Sequence, residues 1–337
     1  FIAKYGDKKV SISRAPGRVN LMGRHIEHRG GGVNVFATGC DTVIVASPRE
    51  DDCINIADVE AHYPPVAFSI GDTLSLGSSA SWLDYLSSAP VCDALAASRG
   101  HWSNYVKAAV LRFQMASDLK LCGMDILCGG EVPVAAGLSS SSSIVVAVAE
   151  ALVSLNSLNI PVTEFVDLCG EGEWFVGSRG GAGDHAAIKC GKKDSITHLD
   201  FKPFSIGSSI RFSPDYAIIV ANSLEQAKKS EGAKDRFNAQ VATYEFAFML
   251  IKRAFPEWSL AVFRDLSSVR PYSQIYRMLH SLPERVSRAE LHALLPESSR
   301  RLGEIFATHA DPGEYHLREV ALYGISECAR AAKFMDV

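Results

Sequence analysis

Residues 139–155 restrict the fold more than any other segment. They read Ser-Ser-Ser-Ser-Ser-Ile-Val-Val-Ala-Val-Ala-Glu-Ala-Leu-Val-Ser-Leu, and after the serines they are apolar on nearly every side. A helix of that kind needs protein around its whole circumference. No apolar run in the chain reaches the ~18 residues of a membrane span, so the cover has to come from a core. The chain of 337 residues is long enough for about two structural units, and 47% hydrophobic with 21% charged residues is ordinary globular composition.

The remaining pattern gives strands early and helices late. Val10–Ser13, Thr42–Ala46, Ile54–Ile56, Val66–Ile70 and Met124–Cys128 have strand composition. Residues 71–103 are rich in Ser, Ala and Gly and predict a loop around a short helix. Tyr105–Ser117 carries helical apolar spacing, and Thr163 after Pro161 predicts a cap for a helix running to about Val176. Tyr216–Ala221 predicts a buried strand; Ala233–Ala254 and Tyr315–Met335 predict long helices. The fold class expected is α+β in two lobes, without a regular βαβ repeat.

Several function classes drop out. A formal charge of −4 and a pI near 6.2 give no electrostatic footprint for nucleic acid or a membrane surface. The eight cysteines contain no Cys-x-x-Cys pair, which predicts reduced, mostly buried thiols in a cytoplasmic protein. Gly191-Lys192-Lys193 lacks the upstream glycine of a P-loop, and Gly181-Ala182-Gly183 is followed by Asp184, His185 and Ala186, not by a dinucleotide fingerprint. There is no His-Glu-x-x-His and no Gly-x-Ser-x-Gly.

Three segments remain. Pro133–Ser143 runs through Gly137-Leu138-Ser139-Ser140-Ser141 straight into the apolar helix. A glycine turn and a hydroxyl-rich helix start leave N–H groups and the helix dipole facing a ligand, which suits phosphate; a Ser-rich linker would not run at once into Ile144-Val145-Val146. Gly177–His185 holds four glycines and ends on Asp184, placed to accept a proton or bind a hydroxyl, with a local helix cap as the plainer reading. Glu173, upstream, could reach a phosphate-bound metal or simply lie on a solvated helix face. Arg14–Gly32 gathers four Arg, two His and a Glu among glycines. Its alternating Val19, Leu21 and Met22 suggest one face turned into a site.

Together these segments resemble the GHMP small-molecule kinases, the galactokinase and N-acetylgalactosamine-kinase-like branch in particular. Gly17–Gly31 is similar to G-R-V-N-L-[IM]-G-E-H-x-D-Y-x-G-G, Pro133–Ser141 to P-x-x-x-G-L-S-S-S, and Gly180–His185 to G-G-x-x-D-Q. Trp102–Lys107, Val220–Ser223 and the Tyr315–Phe334 helix extend the likeness. The resemblance implies a two-lobed fold with the active site between lobes, roughly residues 1–200 and 201–337. It implies transfer of the ATP γ-phosphoryl group to a sugar hydroxyl, usually the anomeric one. Asp184 would be the base and Arg18 its partner. Gly137, Leu138, Ser139, Ser140 and Ser141 would wrap the phosphates; Ser140 or Ser141 with Glu173 would bind Mg²⁺; Trp102 and Tyr105 would line the adenine side. The partner implied is a small sugar or sugar acid, not nucleic acid or membrane.

Departures from the family pattern bear on the substrate. Where galactokinases read Gly-Glu-His-x-Asp-Tyr, this chain has Gly23-Arg24-His25-Ile26-Glu27-His28. The family Glu contacts the hydroxyl on carbon 6, and Arg24 reverses the charge there. A guanidinium fork suits a carboxylate better than a neutral hydroxyl. Gly183, His25 and Glu27 would line the sugar, Phe237 matches the family aromatic, and Arg236 offers a second anion contact. The expectation is a uronic acid such as galacturonate. Galacturonic-acid kinases of this branch are similar in lacking the Glu and in having His for Tyr. The alternatives are an ordinary galactokinase or N-acetylgalactosamine kinase, a heptose or polyol kinase, and a sugar-and-ATP sensor without turnover. The family also carries a third glycine-rich motif near its C-terminus, and nothing after Glu225 matches it. That predicts the N-terminal part of a longer kinase, with part of the second lobe missing.

Overall fold

The computed structural model describes residues 1–61, 63–78, 80–221, 231–267 and 270–336. Seven strands form one sheet: β1 (Ser11–Met22), β2 (Val33–Pro48), β3 (Cys53–Asp58), β4 (Val66–Ser69), β5 (Met124–Gly130), β6 (Ser195–Asp200) and β7 (Ser205–Arg211). Their order is β4-β3-β5-β2-β6-β7, with β1 also paired to β2. The long β2 is the organiser. It pairs antiparallel with β1 along most of its length, with β5 through 42–48 and with β6 through 33–35. The β3–β5 pair is parallel.

The helices are α1 (Ile2–Tyr5), α2 (Ile70–Leu74), α3 (Trp82–Ser87), α4 (Ala89–Ala97), α5 (Ser103–Ala116), α6 (Ser140–Leu155), α7 (Val162–Gly172), α8 (Gly183–Cys190), α9 (Glu231–Ala254), α10 (Tyr272–Ser281), α11 (Arg288–Leu294), α12 (Ser299–Phe306) and α13 (Leu317–Lys333). The apolar segment is α6, packed on β1, β2 and α5. Val145, Ala147, Val148, Ala149, Ala151 and Leu152 are all buried. The helix is also tied to the sheet by hydrogen bonds: the Ser13 hydroxyl donates to the Ala147 carbonyl at 2.7 Å, and Thr42 and Ser143 share a 2.6 Å bond. A second core joins α9 to α13, with Phe246, Leu291, Leu302, Tyr315 and Ala321 buried. No helix among the described residues is long and apolar enough to cross a membrane.

Three expectations are corrected. Residues 71–103 hold most of α2 and two further short helices, α3 and α4; Ser69 and Ser81 start α2 and α3, their hydroxyls accepting from the Asp72 and Asp84 N–H groups, and a Pro lies in the first turn of α4. Pro161, not Thr163, occupies the N-cap of α7, so Thr163 lies inside the first turn. Tyr216–Ala221 forms no strand: no described strand lies beside it, and Tyr216 and Ile219 are 74% and 87% exposed. The sheet continues through the β6–β7 hairpin to Arg211. Asn222, Ser223 and Glu225 lie outside the described residues.

Candidate active site

The site begins with an irregularity in β1. The β1–β2 register shifts between Pro16 and Arg18. A bulge re-aims the side chain that follows it. A Cβ on Gly17 would come within 2.8 Å of Thr38 Oγ1 and 3.0 Å of the Leu138 carbonyl, so only glycine lets the loop before α6 lie this close. Arg18 is then held at three points. Its backbone N–H donates to the Leu138 carbonyl (3.1 Å), Nη1 to the Gly137 carbonyl (2.9 Å), and Nε and Nη2 to Asp184 Oδ1 (2.8 and 2.6 Å).

Asp184 lies in the first turn of α8, where the helix dipole favours a negative charge. Its other oxygen, Oδ2, accepts from the Ser139 hydroxyl at 2.5 Å. Ser139 itself has φ +61° at the N-cap of α6, and no side chain caps that helix. Turning Ser139 away to Asp184 leaves the first-turn N–H groups of α6 without a side-chain acceptor. Gly137, Leu138, Ser139, Arg18 and Asp184 are thus one cluster, as the motifs predicted from three separate parts of the chain. Ser140 begins α6, with its carbonyl accepting from the Ser143 hydroxyl at 2.8 Å.

Glu173 follows α7 in a single turn of 3-10 helix, and its carboxylate is mostly buried. The Ser142 hydroxyl donates to its Oε2 at 2.7 Å, one residue on from Ser140 and Ser141, the serines the resemblance offers to a metal. The reason is helical phase: Ser142 and Ser143 point into the protein while Ser140 and Ser141 stay half-exposed. His185 Nε2 approaches the same Glu173 oxygen at 2.9 Å, which brings the first turns of α6 and α8 to one carboxylate.

On the other side of Asp184 stands Glu27. It packs against the glycine loop so closely that a Cβ on Gly181 or Gly183 would meet its Cγ at 2.7 or 3.0 Å. Burial pushes its carboxyl up to about 7; the nearby Asp184 adds to this, while backbone N–H groups and Arg18 work against it. The His25 ring lies edge-on to Phe237, with centroids 5.7 Å apart, and Phe237 also covers Gly180. Burial lowers the His25 pKa, and Arg24 lowers it further while Asp184 opposes, so these groups share one electrostatic neighbourhood. His28 is buried edge-on to Tyr244 at 5.6 Å, and neither ring nitrogen has a hydrogen bond; burial holds it neutral.

Arg24 is fixed through its backbone. Glu327 on α13 accepts from the Gly23 and Arg24 N–H groups (2.7 and 3.1 Å), and the Tyr323 hydroxyl donates to the Arg24 carbonyl at 3.0 Å. Burial disfavours the charged form of Glu327, but hydrogen bonds from Arg330, Gly23 and Arg24 outweigh it and hold its pKa below the usual value. The Arg24 guanidinium is exposed and makes no hydrogen bond or ion pair among the described residues. Nothing local in the sequence marks Glu327, which lies 304 residues from Gly23.

Three predicted residues stand apart. Trp102 lies beside His101 and Tyr63. Tyr105 instead lines a cavity walled by α4, α5 and α9. Arg236 is exposed beside Gly232 and forms no hydrogen bond among the described residues.

Two family models match the chain: the GHMP kinases N terminal domain over residues 104–192 and the galactokinase galactose-binding signature over residues 1–48. The chain is 29% identical to a galactokinase of Roseiflexus sp. (strain RS-1) over 90% of its length and 68% of that protein. It is 28% identical to a Dictyostelium discoideum galactokinase, covering 73% of this chain and 46% of that one, so it spans about half the length of that relative. Lactococcus lactis galactokinase, solved with galactose, has a similar fold: TM-score 0.65 at 21% identity, over the whole of this chain and 72% of that one. Those two matched segments contain Arg18, Glu27, Ser139, Glu173 and Asp184, and over most of its length the chain is similar to galactokinases of the GHMP kinase type.

Proposed function

We propose that this protein is an ATP-dependent sugar kinase acting at the anomeric hydroxyl, with Asp184 as base and Arg18 as its partner. The observation that carries the reading is the cluster around Asp184, with Arg18 on one oxygen and a displaceable hydroxyl, Ser139, on the other. A sugar hydroxyl replacing Ser139 at Oδ2 would pass its proton to Asp184 as its oxygen bonds to the γ-phosphorus and the bond to ADP breaks. Arg18 stabilises the charge on the transferring group. The uncapped start of α6 and Gly137 at φ +77° fit the phosphates of ATP, since N–H groups and small side chains face outward there. Two units working across this cleft, divided near residue 200, complete the reading.

Mg²⁺ fits as well. It needs only one or two protein oxygens besides phosphate and water, and Glu173 with Ser140 or Ser141 would supply them. When bound it would neutralise charge on the phosphates. Ser142 and His185 orient Glu173 for that task.

For the sugar, an acid-bearing substrate such as galacturonate is supported by the exposed Arg24 guanidinium, which makes no ion pair among the described residues and whose backbone Glu327 holds in place. A charge-assisted pair of this kind contributes roughly 1.5–3 kcal/mol, or about 10- to 100-fold in discrimination. The second reading, an ordinary galactokinase, is favoured by the galactokinase relatives at 28–29% identity. Comparing kcat/KM for galacturonate and galactose in the wild type and in Arg24→Glu separates them. Loss of a galacturonate preference supports the acid reading; an unchanged ratio removes it.

A further inference from the structure

The loop that delivers Asp184 is held from outside itself. Residues 178–182 belong to no helix or strand, so their backbone groups have no regular ladder to pair with. Side chains meet them instead. The Trp174 indole donates to the Gly180 carbonyl at 2.9 Å, and the Lys234 ammonium donates to the Val176 carbonyl just before the loop. Asn238 on α9 takes two more groups: its Oδ1 accepts from the Arg179 N–H at 3.1 Å, and its Nδ2 donates to the Gly177 carbonyl at 3.1 Å.

Asn238 is buried, and its Nδ2 also donates to the Thr308 carbonyl, just past α12, at 2.9 Å. One amide thus joins α9, the end of α12 and the glycine loop. Its three hydrogen bonds all go to backbone groups, none to Arg18, Glu27, Ser139 or Asp184. The neighbouring Phe237 ring lies on Gly180, where a Cβ would meet it at 3.6 Å, and farther along the loop Gly181 and Gly183 press on Glu27. Asp184 follows at once. Its bonds leave little slack, at 2.8 and 2.6 Å from Arg18 and 2.5 Å from Ser139. A misplacement of about 1 Å at a reacting group can cost ~10² in rate.

We propose that Asn238 is a positioning residue for phosphoryl transfer, its amide fixing where residues 177–183 present Asp184 to Arg18 and to the acceptor hydroxyl. The inference rests on the kinase reading above. Without the amide, the Gly177 carbonyl and the Arg179 N–H lose their partner and have to find water, and a glycine-rich loop moves readily to reach it. That movement passes along the loop to Asp184. The start of α6, which fits the phosphates of ATP, is not tied to Asn238, so ATP affinity is left in place while the chemical step slows.

The test combines steady-state kinetics with hydrogen exchange read by mass spectrometry on the purified protein. Asn238→Ala removes all three bonds. Asn238→Asp keeps the size and the acceptor but removes both donors, and stands in if the alanine variant does not fold. Phe246→Leu, in the same helical core against Phe306 and Tyr315, controls for lost stability. We expect the Asn238 variant to lower kcat for sugar-dependent ADP release by about tenfold or more, with KM for ATP within about twofold. Exchange across residues 177–183 should speed by about tenfold or more. Phe246→Leu should change neither by more than about twofold. In an Asp184→Asn background the Asn238 change should lower kcat no further, because it acts through Asp184. An unchanged kcat, unchanged exchange, an equal loss in Phe246→Leu, or a loss that adds fully to that of Asp184→Asn overturns the proposal and leaves the kinase reading standing. Wild-type protein without sugar-dependent ADP release overturns the kinase reading and the positioning role with it.

Discussion

Glu27→Gln is the most informative single change, because it acts on stability and on substrate binding with different pH signatures. The Glu27 carboxyl is pushed from its ordinary 4.5 up to about 7 by burial beside the glycine loop and Asp184. The folded protein therefore holds this proton more tightly than the unfolded chain does. Below about pH 4.5 Glu27 is protonated in both states and costs nothing. As pH rises from there the unfolded chain ionises first, and the native state loses about 1.4 kcal/mol per pH unit until the folded carboxyl ionises near 7. Above that the loss is constant at about 3 kcal/mol. Gln keeps the shape and the neutral charge, so it escapes this loss. Urea unfolding at about pH 5 and about pH 8.5 should show the stability of Glu27→Gln, relative to wild type, rising by roughly 2–3 kcal/mol between the two. An equal difference at both pH values would refute the reasoning and mean that Glu27 is ionised throughout or solvated in the native state.

Other predictions follow from neighbouring contacts. Ionisation of Glu27 adds a negative charge to the proposed sugar pocket, so KM for galacturonate should rise above about pH 7 while KM for galactose changes little, and Glu27→Gln should flatten the difference. Gly23→Ala should cost more than ~2 kcal/mol in urea unfolding, because φ is +95° and the new Cβ would sit 2.2 Å from the Gly32 carbonyl. Ser142→Ala removes one 2.7 Å hydrogen bond to Glu173, and should raise the Mg²⁺ concentration for half-maximal activity by about tenfold while leaving the unfolding midpoint nearly unchanged. Asp184→Asn should lower kcat by ~10² or more with little effect on ATP binding measured by calorimetry.

The parts of the site legible in the sequence are those carried by local backbone chemistry. Gly137 and the serine run announce the start of α6, the glycines before Asp184 announce close backbone approach, and the motifs bring Arg18 and Asp184 together across 166 residues. Long-range tertiary contacts were not legible. Ser142 meets Glu173 because of the phase with which α6 packs on β1 and β2, which composition does not encode. Glu327 reaches Gly23 and Arg24 from α13, and only the folded chain brings the two together. The exposed Tyr216–Ala221 segment shows the converse: apolar composition marked a strand, but a strand needs a neighbour to satisfy its backbone groups, and no described strand provides one.

The account rests on phosphoryl transfer centred on Asp184. The most direct measurement is ADP release from ATP by the purified protein over a panel of neutral and acidic sugars, with ³¹P spectra of the products. The account predicts ADP formed in equal amount to a sugar 1-phosphate, and its disappearance in Asp184→Asn. ADP formed with no sugar, or binding of ATP and sugar with no ADP release, would contradict it; the latter result is what a sensor without turnover would give.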